Sequence, residues 1–137
     1  MKYAYCLLFV LFLSCSDNVT QDDLQNLNGY WDIEMVESES KKITKFGINS
    51  TIDFYYLDDT NQGYRKKAKP DFSGKYRANN IKDKITVTHE NEHFIIHTTT
   101  ALDSWDDTII ELTKEKLILQ NDKGVLFHYK KHEKYNF

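Results

Sequence analysis

The sequence predicts an all-β protein, an antiparallel up-and-down meander that closes into a small eight-stranded barrel. Apolar and polar residues alternate with a period of two in about eight short segments, which is typical of strands with one buried face. Turn-forming residues separate these segments at regular intervals. Because an open sheet of this size would expose its edges and its apolar face, we expect it to curl into a barrel, with a sandwich as the alternative.

The first residues have the pattern of an export signal. A positively charged start precedes an apolar run at 7–13, which is shorter than the about 20 residues of a permanent transmembrane helix. The run ends in Phe12-Leu13-Ser14-Cys15, which resembles the bacterial lipobox. The resemblance implies that 1–14 are a lipoprotein signal peptide and that 15–22 form a tether lipidated at Cys15. An ordinary signal peptide or an uncleaved anchor helix are the alternatives.

The rest of the chain, 23–137, has the length of one domain. The second cysteine, Cys6, lies in the predicted signal peptide, so the mature chain would have no disulfide and no cysteine-based metal site. Basic and acidic residues are intermixed and the formal net charge is −3, which predicts no nucleic-acid partner.

The predicted elements follow one another along this domain. Thr20 and Asp23 are typical of a helix-starting box, and Leu24 and Leu27 would share one side of a single turn. The first strand covers 30–35, with Trp31 on its buried face. Further strands are predicted at 51–56, 72–77, 85–88, 94–96, 108–112, 117–119 and 125–129, and the clearest hairpin turn at 121–124.

The segment Leu27-Asn28-Gly29-Tyr30-Trp31 resembles the opening of lipocalin-type barrels, a short helical turn followed by Gly-x-Trp. The stretch from Trp105 to Lys130 is similar to lipocalin-like lipoproteins of Bacteroidetes. The resemblance implies a lipocalin-like barrel, structural roles for Gly29 and Trp31, and a small hydrophobic ligand inside the barrel. Lipocalins also place an arginine near the last strand against the tryptophan. This chain has no arginine there, and Lys130 or Lys131 would substitute for it.

Four aromatic residues on predicted buried faces are the candidates for ligand binding: Tyr56, Tyr76, Phe94 and Phe127. In a filled barrel they would form the core. In a cup-shaped barrel some of them would line the cavity, with tyrosine hydroxyls orienting the ligand. The sequence leaves both interpretations open.

The histidines raise a metal hypothesis, since His93 and His97 share one strand face and His89 lies across a tight turn. A zinc site would also need Glu90 or Glu92 as a ligand. A solvent-facing strand surface explains these residues more simply, so we predict neither a metal nor a cofactor.

Acidic residues surround Trp105, namely Asp103, Asp106, Asp107 and Glu111. Paired carboxylates beside an aromatic ring would suit glycoside hydrolysis. Neighbouring residues of a strand point to opposite faces, however, which separates Asp106 from Asp107. We therefore predict no catalytic residue and no enzymatic activity.

The only dense basic cluster is the run 65–69, Arg65-Lys66-Lys67-Ala68-Lys69. It would contact lipid headgroups or, more simply, form a solubilising loop or an edge strand. The predicted function is that of a non-catalytic lipoprotein at the outer membrane that binds a small hydrophobic ligand. The alternative is an envelope protein-interaction module with a solid barrel. Ser16 after Cys15 argues against retention at the inner membrane, and the side of the outer membrane stays open.

Overall fold

The computed structural model describes residues 18–71, 73–78 and 80–133, where a short 3₁₀ helix at Asp22–Leu27 precedes the strands. The signal peptide and Cys15 lie outside the described residues. The strands are β1 (Gly29–Glu37), β2 (Ile43–Lys45), β3 (Ile52–Leu57), β4 (Gln62–Pro70), β5 (Tyr76–Ala78), β6 (Asp83–Glu90), β7 (His93–Thr99), β8 (Ser104–Leu112), β9 (Lys116–Asn121) and β10 (Leu126–Lys131).

The sheet closes because β1 pairs with β3 on one side and with β10 on the other, both antiparallel. Eight strands form the closed barrel, and the short strands β2 and β5 add to β1 and β4. The predicted all-β, antiparallel, eight-stranded barrel is confirmed.

The core fills the inside of the barrel. Its buried members are Leu24, Leu27, Trp31, Tyr55, Leu57, Ile85, Val87, Phe94, Ile96, Ile109, Leu112, Leu117, Leu119 and Tyr129. Leu24 and Leu27 come from the 3₁₀ helix, which packs against β3 and β8 and covers one end of the barrel. Burial of these apolar side chains is the main source of stability for the barrel.

The predicted helix start is confirmed. The backbone N–H of Thr20 donates to Asp23 Oδ2 at 2.8 Å, and the N–H of Asp23 points back to Thr20 Oγ1 at 3.4 Å. This reciprocal arrangement satisfies backbone donors that have no partner in the first turn. It holds the turn so that its two leucines face the barrel.

The predicted hairpin at 121–124 is also confirmed, between β9 and β10. Asn121 Oδ1 accepts the backbone N–H groups of Lys123 and Val125, and Gly124 adopts a φ of 74°. Left-handed backbone of this kind favours glycine, which explains why the turn residues are readable from the sequence.

Two predicted segments differ from the structure. The basic run 65–69 lies inside β4, which pairs with β3, β5 and β6, and is neither a loop nor an edge strand. The strand predicted at 72–77 shrinks to β5, because Asp71 Oδ1 accepts N–H groups of Ser73 and Lys75 and turns the chain there. Phe72 lies outside the described residues.

The buried face of β3 was predicted wrongly. Tyr56 is 45% exposed on the outer wall, and Tyr55, at 2%, faces the interior. The pairing explains this alternation, because Trp31 pairs with Asp53 and both lie inside, so Tyr55 and Leu57 follow on the same face. The sequence Phe54-Tyr55-Tyr56 offers an aromatic residue to either face, so its alternation is not informative.

Candidate functional site

The two ends of the barrel are built differently. The closed end lies under the 3₁₀ helix, around Trp31, whose side chain is fully buried. Its indole Nε1–H donates to the carbonyl of Leu27 at 2.8 Å, which ties the helix to β1. The Lys131 ammonium lies 4.2 Å from the centre of the Trp31 ring and donates to the carbonyls of Asn26 and Asn28. The expected burial of Trp31 is confirmed, and Lys131 occupies the place predicted for the missing arginine.

Gly29 explains why a glycine precedes the tryptophan in this motif. Its φ is 121°, a conformation that L side chains rarely adopt. A Cβ at this position would lie 3.0 Å from Lys131 Nζ. Gly29 thus leaves the space in which the lysine crosses from the last strand to the Trp31 ring.

The opposite end is open and forms a cavity of about 320 Å³, which we call the cup. The cup is bounded by β3, β4 and the three last strands, together with the β9–β10 hairpin. Its lining residues are Tyr55, Arg65, Trp105, Asp106, Asp107, Leu119, Asn121, Asp122, Lys123, Phe127 and Tyr129. The cup therefore combines an aromatic and apolar wall with charged groups.

Arg65 is the central polar residue of the cup. Its Nη2 forms a salt bridge with Asp83 at 3.1 Å, and its guanidinium carbon lies 5.1 Å from the centre of the Trp105 ring. Its Nε is buried and has no hydrogen-bond acceptor among the described residues. Burial alone would lower the pKa of Arg65, but the neighbouring Tyr55 and Asp53 raise it, so the guanidinium stays charged.

Burial raises the pKa of three further groups of the cup, Asp107, Tyr55 and Tyr129. Burial raises the pKa of the Asp107 carboxyl, an effect that the hydrogen bond from Trp105 Nε1 and the charge of Arg65 partly offset. Burial also raises the pKa of the phenols of Tyr55 and Tyr129 well above the ordinary value. Both tyrosines are therefore neutral hydrogen-bond donors at physiological pH.

The four aromatic residues predicted to bind a ligand separate in the structure. Phe127 lines the cup, and Phe94 is buried among the core side chains. Tyr56 and Tyr76 lie on the outer wall, where Tyr76 stacks on Tyr30 with ring centres 3.8 Å apart.

Sequence reasoning did not identify Tyr55, Arg65 and Tyr129 as residues of the cup. Arg65 was part of a basic run that resembled a loop, because its neighbours are lysines. The available signal was the alternation within β4, where Arg65 faces inward between Tyr64 and Lys66, which contact the outer aromatic rings.

The outer wall of β1, β3, β4 and β5 has an aromatic surface, formed by Tyr30, Phe54, Tyr56, Tyr64 and Tyr76. The Lys82 ammonium lies 4.4 Å from the Tyr64 ring centre, and Lys66 lies 5.2 Å from that of Phe54. Cations over aromatic rings are favourable contacts. We call this set the outer aromatic face.

The two histidines of β7, His93 and His97, lie on the outer wall, whereas His89 of β6 stacks on the core residue Phe94 with ring centres 4.5 Å apart. His97 Nε2 is 2.7 Å from Thr88 Oγ1, and His97 Nδ1 is 2.7 Å from Asp106 Oδ1. This chain of hydrogen bonds has the order of a nucleophile–histidine–acid triad, but it connects three adjacent strands outside the barrel. The described residues contain no group of three or more side chains placed to hold a metal ion.

The acids near Trp105 alternate as predicted. Asp106 turns outward to His97, whereas Asp107 accepts the Trp105 indole N–H. The expectation that these two carboxylates point to opposite faces is confirmed. They therefore do not form the pair that glycoside hydrolysis requires.

Comparisons with known proteins support the fold. No protein-family model matches the chain, and no curated protein matches it either. Among solved structures, the chain is similar to a lipocalin-like protein from Bacteroides uniformis ATCC 8492. The TM-score is 0.50 at 12% identity, over 78% of this chain and 99% of that chain. An uncharacterized protein from Bacteroides eggerthii DSM 20697 is also similar, with a TM-score of 0.48 at 14% identity, over 77% and 99% of the two chains.

The barrel is thus lipocalin-like, as the Gly-x-Trp resemblance predicted. At 12% identity the likeness concerns the fold alone. Within the described part of the chain, none of the helices is long and apolar enough to cross a membrane.

Proposed function

We propose that this protein binds one small, largely apolar molecule in the cup and carries out no chemical step on it. The observation that carries the proposal is the contrast inside one barrel, between an end that the 3₁₀ helix covers and an open end with a cavity of about 320 Å³. Small-molecule sites commonly span about 300–1,000 Å³ and pair apolar walls with a few polar groups. The cup lies at the lower end of that range, so we expect a single compact ligand.

The wall of the cup supplies the apolar contact. Trp105, Phe127 and Leu119 contribute large apolar side chains, and Tyr55 and Tyr129 add neutral phenols. Rings of this kind bury much apolar surface at a low cost in side-chain entropy. The phenols would orient the polar part of the ligand.

A fluorescence titration tests this proposal. The neutral probe N-phenyl-1-naphthylamine becomes bright in apolar surroundings, and we expect saturable binding to the full chain at one site. Trp105→Ala should weaken binding by about tenfold, which corresponds to about 1.4 kcal/mol of lost contact. Tyr56→Ala removes an aromatic ring from the outer wall and serves as the matched control, with unchanged affinity. Equal effects of the two substitutions, or no saturable binding, would refute the proposal.

We also propose that Cys15 anchors the protein to the membrane through acyl chains. Two or three chains are needed for stable attachment, since one chain binds only marginally. Asn18 and Val19 lie beside Glu92 and His93 at the closed end of the barrel. Cys15 precedes Asn18 by three residues, which span at most about 10 Å. Acylated Cys15 would therefore hold the closed end near the membrane and direct the cup away from it.

The anchor proposal has a matched pair of variants. Cys15→Ala should abolish incorporation of labelled fatty acid and release the protein from the membrane fraction. Cys6→Ala, in the predicted signal peptide, should leave both unchanged. Labelling that survives in Cys15→Ala would end the lipoprotein interpretation. Separation of inner and outer membranes then tests the outer-membrane location that Ser16 favours.

The outer aromatic face favours a second candidate function, an envelope protein-interaction module. Its edge includes Tyr56, which is 45% exposed, and surface aromatic clusters of this kind are enriched at interfaces. A photo-crosslinking side chain at position 56, introduced in the native host, should trap one discrete partner if this function holds. The same side chain at Lys123 on the rim of the cup is the control position. Without a partner-specific product at position 56, this candidate falls.

A further inference from the structure

One N–H donor of the Arg65 side chain has no acceptor among the described residues. Arg65 Nη2 donates to Asp83 at 3.1 Å and the guanidinium is also hydrogen-bonded to the Tyr55 hydroxyl, while the donor without a partner in the described part of the chain is the buried Nε. A buried donor without an acceptor costs free energy, about 1–3 kcal/mol and more for a charged group. Because this N–H lies at the wall of the cup, an oxygen atom of a bound ligand could accept its hydrogen bond and remove this cost.

The acids near Arg65 are mostly engaged elsewhere. Asp53 forms a salt bridge with Lys67, and Asp106 turns outward to His97. Asp107 accepts the Trp105 indole N–H, and burial raises its pKa above the ordinary aspartate value. Lys123 adds a positive charge to the lining and Asp122 a negative charge. The feature of the cup that would attract an acidic group is therefore local, the Nε–H of Arg65 that has no acceptor among the described residues.

The charge of the guanidinium also indicates the kind of group. Because Asp83 occupies Nη2, the Nε–H is the donor left for a ligand, and a hydrogen bond from a charged donor is strongest to an anionic oxygen such as that of a carboxylate or a sulfonate. Trp105 lies beside this donor, with its ring centre 5.1 Å from the guanidinium carbon. The apolar wall around Phe127 leaves room for a flat body next to that group.

We infer that the ligand of the cup carries one anionic oxygen group, of the carboxylate or sulfonate kind, which accepts the Nε–H of Arg65 while its apolar body packs against Trp105 and Phe127. This inference rests on the proposed function, because it names the chemical class of the ligand in the same cup.

Two probes with the same skeleton test it on the full chain. N-phenyl-1-naphthylamine is neutral, and 1-anilinonaphthalene-8-sulfonate has the same rings with a sulfonate. We expect wild type to bind the sulfonate about tenfold more tightly or better, the size of one charge-assisted hydrogen bond. Arg65→Gln should bring the ratio of the two affinities close to one. Lys66→Gln removes the neighbouring cation, which faces the outer aromatic rings, and should leave the ratio unchanged.

The outcomes separate the inference from the proposed function. If both probes bind with similar affinity in wild type and Trp105→Ala weakens both, the cup is real and the anion preference is wrong. If Trp105→Ala affects neither probe, the proposed function itself fails. If Arg65→Gln does not fold, the wild-type protein still tests the inference. The ratio of its affinities for the two probes should fall towards one at high salt, because salt screens an ionic contact. An Arg65→Gln protein that is folded by circular dichroism and keeps the preference would overturn the inference.

Discussion

The closed and open ends of one barrel use their aromatic residues for different purposes. At the closed end, Trp31 is fully buried, its indole N–H donates to the carbonyl of Leu27, and the Lys131 ammonium over its ring donates to two further carbonyls. At the open end, Trp105 is only partly buried and lies beside a guanidinium with an unsatisfied N–H. Buried polar groups that all have hydrogen-bond partners are typical of a structural region. A buried polar group without a partner is typical of a binding site.

The largest difference between the two ends is expected when each tryptophan is replaced by alanine in a separate variant. Trp31→Ala removes a fully buried ring and should lower the free energy of unfolding by about 3–5 kcal/mol. Trp105→Ala should lower it by about 1 kcal/mol, as is usual for partly exposed positions. Urea denaturation followed by circular dichroism measures both. If both substitutions lowered the free energy of unfolding by the same amount, the open end would contribute to stability as much as the closed end does.

Gly29→Ala should have a smaller effect. The added Cβ would hold an L residue at a φ of 121° and displace Lys131 Nζ from 3.0 Å. Backbone strain of this kind costs about 1–3 kcal/mol. Gly47→Ala is the matched control, since a Cβ there meets no atom within 4 Å, and should change stability by less than about 0.5 kcal/mol. Thermal melts of the two variants are compared, and identical melts would remove the structural role of the Gly-x-Trp motif.

The smallest effect concerns the pH dependence of the open end. Because burial raises the pKa of Asp107 in the folded state, the native protein holds this proton at pH values where the unfolded chain has lost it. Its contribution to stability is therefore present at low pH and is lost as the pH rises from the ordinary aspartate value through the raised pKa.

Asp107→Asn, which cannot ionise, should gain in stability relative to wild type across this same window. Denaturation curves at several pH values test the sign. An advantage of the variant that shrinks as the pH rises would contradict a raised pKa for Asp107.

The parts of the fold that follow simple rules were predictable from the sequence. The box at Thr20 and Asp23, the turn at 121–124 and the burial of Trp31 each depend on local chemistry or on a single large apolar residue. Strand β4 was missed because its inward residues face a polar cup. Arg65 lies inside the barrel wall, so the strand lacks the apolar alternation that marks the others.

The cup escaped prediction for the same physical reason. Tyr55 and Tyr56 are equivalent in the sequence, and only the pairing of β3 with β1 decides which one faces the interior. Tyr129 was placed correctly in a strand, yet its position opposite Arg65 depends on closure between β10 and β1. Contacts that arise from long-range pairing leave little trace in a local pattern.

The central claim, that the open end holds a ligand and the closed end does not, is tested most directly by native mass spectrometry. The domain from 16 to 137 would be produced in its own host and purified without detergent, alongside Trp105→Ala and Tyr56→Ala. We predict a discrete additional mass on wild type and Tyr56→Ala that disappears on denaturation and is reduced in Trp105→Ala. A bare polypeptide mass for wild type, together with no saturable probe binding, would contradict the claim and leave the barrel as a solid scaffold.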